Sequence, residues 1–498
     1  MSRYPRAGWR TAMGAAALVG AGAALLGAPA ARGETLGDAI ALAYQSNPTL
    51  QAQRASQRAL DETYVQAEAG YRPSANLQAT LGYTSNDLSQ FQNVVPSQQF
   101  PGQTETSGAV VTLTQPIYTG GRVSSQVSAA QASVLAGREA LRQSEQDVLR
   151  NVIQAYVDVR RDQENQAIAQ ENVGLLKRQL DEAQARFEVG EITRTDVAQT
   201  QASVAAAQAQ LSAAQAQLAD SRASYAAVVG RNPGSLAPEP SLAKLLPASV
   251  EKAFDAAEHD NPQIRQADYT EQASAARVAA AKAQTRPTLA FQATLGYSGG
   301  SFGPASPFAN YSHDVSATAV ANFPLFTGGM TSSQIRQAAE NNNIDRIGIE
   351  GTRRQVLLLV SQAWNQLLGA RASLAANEVQ VRAANIAFEG TRQEAQVGLR
   401  TTLDVLITEQ NLSNAQLALV NARHDEYVAA AVLLAATGAL IAENLVTGTP
   451  IYDPRANFDK VTPAYCWAPW TPALAAIDRL VAPAIVERPA PVAVPGDR

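Results

Sequence analysis

The chain is written twice. Asn47-Pro48-Thr49-Leu50 returns as Asn261-Pro262-Gln263-Ile264, Arg72-Pro73 as Arg286-Pro287, and Leu81-Gly82-Tyr83 as Leu295-Gly296-Tyr297, all at an offset of 214 residues. Pro116 to Gly121 (Pro-Ile-Tyr-Thr-Gly-Gly) returns as Pro324 to Gly329 (Pro-Leu-Phe-Thr-Gly-Gly) at an offset of 208, and Gly190 with Gly398, and Asp196 with Asp404, keep that spacing. The register changes once, between Tyr83 and Pro116, so the first copy carries extra residues there. That stretch is rich in Ser, Gln, Asn, Gly and Pro, and insertions settle in exposed loop tips. A duplicated unit of this length is far longer than a solenoid repeat. Whatever one half folds into, the other must fold into as well.

Each half opens with a helical pattern, roughly 36–69 and 249–284. A two-strand unit follows, about 73–84 and 108–118 in the first half and about 287–298 and 313–326 in the second. Ala75, Leu77, Ala79, Leu81 and Tyr83 alternate with Ser74, Asn76, Gln78, Thr80 and Gly82; Leu289, Phe291, Ala293, Leu295 and Tyr297 repeat the pattern. Val111, Leu113 and Ile117, then Val315, Ala317, Phe323 and Leu325, supply the apolar face of the partner strands. Period-2 alternation gives one apolar and one polar face, and strands of about 10–12 residues can cross an outer membrane when tilted. Tyr83 and Tyr297 suit the membrane interface.

After each Gly-Gly pair comes a helix of about 65 residues, on the order of 100 Å long. Val127, Val134, Leu141, Val148 and Ala155 recur every seven residues, a coiled-coil signal. Each long helix ends at a tip, about 189–195 and 397–402. Gly190 and Gly398 suit the position where a helix stops with φ > 0. Thr193 with Asp196, and Thr401 with Asp404, have capping-box spacing, the acid standing in for Glu. A helix of about 35 residues follows each tip. The opening and closing helices, stacked end to end, would match the single long one in length.

The chain has 498 residues, a net charge of −5 and 6% aromatics. The charge is too mild and too evenly spread to suggest nucleic acid. The one cysteine, Cys466, excludes an internal disulfide framework. His259, His313 and His424 are far apart in sequence and read as incidental; no metal cluster, cofactor motif or catalytic constellation is present. Arg3, Arg6 and Arg10 precede an apolar Ala/Gly/Leu run, and Ala28-Pro29-Ala30 fits the cleavage pattern of a secretory signal. The partition is 1–30 signal peptide, 31–230 first repeat, 231–248 connector with several prolines, 249–445 second repeat, and 446–498 a Pro-rich, partly disordered C-terminal segment. No later stretch is long and apolar enough for a spanning helix. An exported chain that enters a membrane must then do so as strands. Four strands cannot sit open in lipid, because their edges leave backbone groups unpaired. Three copies would supply twelve, enough for a barrel with a bore.

Taken together, the Asn-Pro starts, the strand pairs, Gln115 to Gly121 with its second copy, and Phe187…Gly190…Thr195-Asp196-Val197 with Gly398…Asp404-Val405-Leu406 resemble the TolC family of outer-membrane export ducts over about residues 34–450. The resemblance implies a mainly helical, internally duplicated chain with a β-barrel part. Its long antiparallel coiled-coil helices would form a periplasmic α-helical tunnel. Four strands per chain would build a trimeric twelve-stranded transmembrane β-barrel in outer-membrane lipid. It further implies a homotrimer that works with a periplasmic adaptor (membrane fusion) protein and an inner-membrane pump of ABC or RND type, and that catalyses nothing. Cargo is either small compounds, moved by efflux, or unfolded protein, moved by type I secretion. By alignment, Thr195 and Asp196 fall on one side of the links that close such a tunnel, Arg400 on the other, and Asp404 on an acidic ring. The family's linking tyrosine is Ala395 here and its second ring aspartate is Ile407. Val189-Gly190 and Val397-Gly398 stand where an adaptor tip would dock. The competing reading is a non-transporting structural or adhesive coiled-coil envelope protein, which has no use for amphipathic barrel strands.

Overall fold

A computed structural model describes residues 33–85, 103–302, 311–446, 450–464, 468–479 and 484–487. The signal peptide, most of the first-half insertion, Cys466 and the last residues lie outside these. The strands are β1 (Ser74–Ser85), β2 (Gln103–Tyr118), β3 (Thr288–Phe302) and β4 (Ser312–Asn322). They form one antiparallel sheet in the order β1-β2-β3-β4. The register places Leu77, Val111, Leu295 and Val315 in one row across the sheet, next to the row Ala75, Leu113, Ala293, Ala317. Residues in register share a face, so these rows are the apolar side. Asn76, Thr112, Thr294 and Ser316 form the corresponding row on the other side. β4 ends at Asn322 rather than near 326, so Phe323 and Leu325 lie beyond it. Pro324, which has no N–H to give a ladder, stands two residues further on.

The helices are α1 (Leu36–Ser46), α2 (Pro48–Glu68), α3 (Arg122–Glu188), α4 (Arg194–Val229), α5 (Val250–Asp260), α6 (Pro262–Ala283), α7 (Met330–Gln396), α8 (Thr402–Thr437), the short α9 (Ala442–Leu445), α10 (Arg455–Ala464) and α11 (Thr471–Arg479). The opening helix of each repeat is broken in two. Asn47 and Asn261 precede a proline and take extended backbone, ψ 123° and 124°, because proline clashes with a helical residue before it. Each asparagine then caps the new helix, whose first residue is the proline.

Each of these asparagines also makes a seam. Asn47 Nδ2 donates to the carbonyl of Val228 at the end of α4, 3.1 Å away. Asn261 Nδ2 donates to Ala436 at the end of α8, at 2.9 Å. So α2 continues α4, and α6 continues α8, beside the 67-residue helices α3 and α7. Because α1 and α5 stay out of the stack, it holds 36 and 21 or 22 residues, and it is shorter than two full 35-residue helices would make it.

On the sheet side of the seams the helices lie in the order α2-α3-α6-α7; on the far side the order is α4-α3-α8-α7. The largest core sits at the seam level, where Leu149, Val152, Ile153 and Tyr156 of α3 meet Leu36, Ile40 and Tyr44 of α1 and Leu433 and Leu434 of α8. All five heptad residues, Val127 to Ala155, are buried. Here also the connector returns, with Glu34 pairing with Leu236 and the Tyr156 hydroxyl between the carbonyls of Glu34 and Ala237. The outer face of α7 keeps Ile344, Ile347, Val379 and Ile386 exposed. The described part of the Pro-rich C-terminal segment is folded onto the molecule as α10, against α2, and α11, against α3 and β2.

Candidate functional site

The two tips have the same construction. α3 ends with Gly190 at φ 84°; the Gly190 N–H donates to Phe187 O and the Glu191 N–H to Arg186 O. α7 ends with Gly398 at φ 80°, its N–H on Ala395 O and the Leu399 N–H on Glu394 O. This pair of bonds is the Schellman motif, and the left-handed residue in it favours glycine. Three residues past the glycine comes Thr193, whose N–H at 2.9 Å and hydroxyl at 2.8 Å donate to Asp196 Oδ2, while the Asp196 N–H donates back to Thr193 Oγ1. Asp404 and Thr401 repeat the arrangement at 3.0 and 2.8 Å. Both aspartates therefore complete capping boxes in the folded chain, with Thr193 and Thr401 as the N-caps.

Those bonds favour the charged form. The Thr193 backbone and side chain hold Asp196 below the usual carboxylate range; the Thr401 side chain and backbone, with Arg400 nearby, do the same for Asp404. Arg400 is exposed and bonds neither Thr195 nor Asp196 in this chain. Its Nε donates to Glu394 Oε2 at 2.9 Å across the Schellman turn. Glu394 is a partner that sequence reasoning missed; the turn brings together residues six apart. Val189 and Val397 are equally exposed, at 71%. Between the tips runs a groove lined in part by Glu182, Arg186, Ile192, Arg392, Ala395 and Thr402. Ala395 is one wall of it.

Behind the groove α3, α4 and α8 share a small apolar cluster of Val173, Leu176, Val204, Ala207 and Leu406. Glu409 lies one turn beyond Leu406 on α8 and is 3% exposed. Burial pushes its carboxyl up to about 7, against the pull of Gln179 and Arg178. Nothing in its sequence context marks it, because burial between two helix pairs is a tertiary fact. Among the described residues no cluster of His, Cys, Asp or Glu could hold a metal ion, and no helix is long and apolar enough to cross a membrane.

The profile of the outer membrane efflux protein family matches residues 39–231 and 253–439, which are the two repeats on either side of the connector. The chain belongs to the outer membrane efflux protein family. It is 36% identical to the outer membrane efflux protein BepC of Brucella suis biovar 1 over 448 residues, covering 90% of this chain and 94% of that one. It is 27% identical to the outer membrane protein TolC of Vibrio cholerae over 420 residues, 83% and 92% of the two chains. The crystal structure of the outer membrane protein VceC from Vibrio cholerae superposes with a TM-score of 0.67 at 22% identity, over 81% of this chain and 96% of that one. The fold is thus a TolC-like outer-membrane channel fold, helical tunnel plus barrel strands, and this member of the family resides in the outer membrane and reaches into the periplasm.

Proposed function

We propose that three copies of this chain form a passive exit duct, which carries substrates from an inner-membrane pump across the periplasm and outer membrane. The observation that carries this reading is the sheet. It has two unpaired edges, β1 and β4, one apolar face and one polar face, and backbone edges cannot stay unpaired in hydrocarbon. Pairing β1 of one copy with β4 of the next closes twelve strands, puts the Leu77–Val111–Leu295–Val315 row against lipid and lines the bore with Asn, Thr, Ser and Gln. A homotrimer follows from that closure. The same closure covers the apolar outer face of α7 with α2 and α4 of a neighbour.

A periplasmic adaptor protein docks at Val189-Gly190 and Val397-Gly398, two apolar projections per chain. The pump, of ABC or RND type, supplies the energy, and the duct performs no catalytic step. The tips open like an iris. Thr195 and Asp196 of one helix pair face Arg400 of a neighbouring pair in the closed state, and three Asp404 side chains ring the entrance. A ring of carboxylates concentrates cations.

Single-channel recording of the purified mature protein in a planar bilayer tests the reading. A low-conductance, cation-preferring channel is expected, with conductance raised in Arg400→Ala and in Asp196→Ala. Conductance unchanged in both single variants and in the double variant removes the link. Asp404→Ala is expected to abolish cation preference and block by multivalent cations; unaltered selectivity removes the ring. No channel at all from folded, trimeric protein favours the structural coiled-coil reading instead. Small-molecule efflux is the preferred cargo class, because the relative at 36% identity is named an efflux protein.

A further inference from the structure

The helix α3 begins without a cap of its own. Its N-cap is Gly121, at φ 86°, which has no side chain to accept from the free N–H groups of the first turn. The acceptor comes from Asp478 on α11, 357 residues further along the chain. Its Oδ1 accepts from the N–H groups of Thr119 at 3.2 Å and Gly121 at 2.9 Å. Its Oδ2 accepts from the Ser124 N–H at 3.2 Å and from the hydroxyls of Thr119 at 2.8 Å and Tyr71 at 3.4 Å. Ser124 Oγ donates to the Asp478 carbonyl in return. The residue is 1% exposed. Trp470 anchors the same segment, donating from Nε1 to Gln115 Oε1, while Gln115 Nε2 donates to the Tyr71 carbonyl. Leu474 and Ala475 pack on Tyr71, Val123 and Val127.

The second repeat holds the same donors, and among the described residues no acid accepts from them. Thr327, Gly329 and Ser332 stand where Thr119, Gly121 and Ser124 stand in the first repeat. Gly329 is again the N-cap, at φ 84° with no side-chain bond. A Cβ at Gly120 would meet Arg286 and Pro287, whereas one at Gly328 or Gly329 would meet nothing within 4 Å.

We propose that the C-terminal segment is a strap that fixes one of the two sheet-to-helix junctions of each chain, with Asp478 acting as the N-cap of α3, and that the junction at Thr327–Ser332 is left without one. Strapped and unstrapped junctions then alternate around the assembly. The strap stands whether or not the tips open, so its test is separate from channel recording.

Hydrogen exchange read by mass spectrometry on the purified mature protein decides it. In the wild type, amides of residues 119–124 are expected to exchange more slowly than those of 327–332. Asp478→Ala should speed exchange at 119–124 by roughly tenfold or more, as loss of charge-assisted hydrogen bonds implies. It should also make residues 468–479 sensitive to added protease, with peptides around 149–156 still protected. Asp478→Asn, which keeps the shape and loses the charge, should fall between. Equal protection of the two junctions in the wild type, or unchanged protection at 119–124 in Asp478→Ala, overturns the proposal. If Asp478→Ala also exposes 149–156, Thr119→Val replaces it; faster exchange at Gly121 and Ser124 supports the strap, and none overturns it.

Discussion

At the residue scale, two ionisable side chains, His424 and Glu409, act in ways their sequence context hides. His424 lies between Asp158, 2.8 Å from Nε2, and Asp425, 2.9 Å from Nδ1. Burial opposes its charge, but the hydrogen bonds that its ring N–H groups donate to the two aspartates outweigh burial and raise its pKa. A raised folded-state value stabilises the fold below the unfolded histidine's pKa, and that stability is lost as pH rises through the folded value. The gap in melting temperature between wild type and His424→Asn is therefore expected to be widest near pH 6 and to close as pH rises past the raised value. A gap constant from pH 6 to 9 would count against the ion pair. Glu409 has the same sign for a different reason. Its carboxyl is raised by burial, so the folded state holds a proton that the unfolded state gives up above the ordinary carboxylate range. Stability falls with rising pH until the group ionises near 7. Glu409→Gln should melt higher than wild type at pH 8 and alike at pH 4; lower melting at pH 8 would show that the charge is wanted there.

At the element scale, the caps and turns are legible in the sequence, and the seams between helices are not. Gly190, Gly398, Thr193–Asp196 and Thr401–Asp404 act through neighbours a few residues away, so spacing alone predicts them. The heptad row of α3 was equally readable because it is periodic along a single helix. The opening helices were expected to run unbroken through Asn47-Pro48 and Asn261-Pro262. The Asn-Pro pair is itself a local stop signal that this expectation passes over, while the helix ends its asparagines bond, 181 and 175 residues distant, are carried by no local pattern. Asp478 and Glu409 were missed for the same reason, and Glu394 because the Schellman turn folds it back onto Arg400 six residues away. Each seam asparagine serves as both cap and cross-link. Replacing Asn47 or Asn261 by Ala is expected to cost about 1–2 kcal/mol, from the lost cap and the carbonyl left unbonded; thermal unfolding in detergent measures it. A Ser replacement, which keeps the cap but not the reach, should recover about half.

For the whole molecule, the duplication makes contacts inside one chain a guide to contacts between chains. Arg286 Nη1 donates to the Gly120 carbonyl at 2.8 Å, joining the second repeat to the start of α3. The matching arginine is Arg72 and the matching carbonyl is that of Gly328, on opposite edges of the helical layer. In the proposed trimer Arg72 reaches Gly328 of the next copy. Arg72→Ala is then expected to lower the temperature at which trimers dissociate, read by mobility without boiling, and Arg286→Ala to lower the unfolding temperature of the subunit itself. Identical effects of the two on trimer dissociation would show that the repeats do not substitute for one another at the interface.

The seams at Asn47 and Asn261 also limit how a chain of this kind can change length. Each joins the two parts of a jointed row, which lies beside the middle of a solid helix. Residues added to α3 beyond the seam push its tip outward, and α4 must grow by the same rise for Thr193 to meet it. Since α7 and α8 lie in the same layer, they must grow too. The smallest step that keeps every buried face inward is one heptad, about 10.5 Å. A periplasm of different depth can be spanned only by four matched insertions of that size. One heptad added to all four helices should leave the fold intact; the same heptad in α3 alone should not.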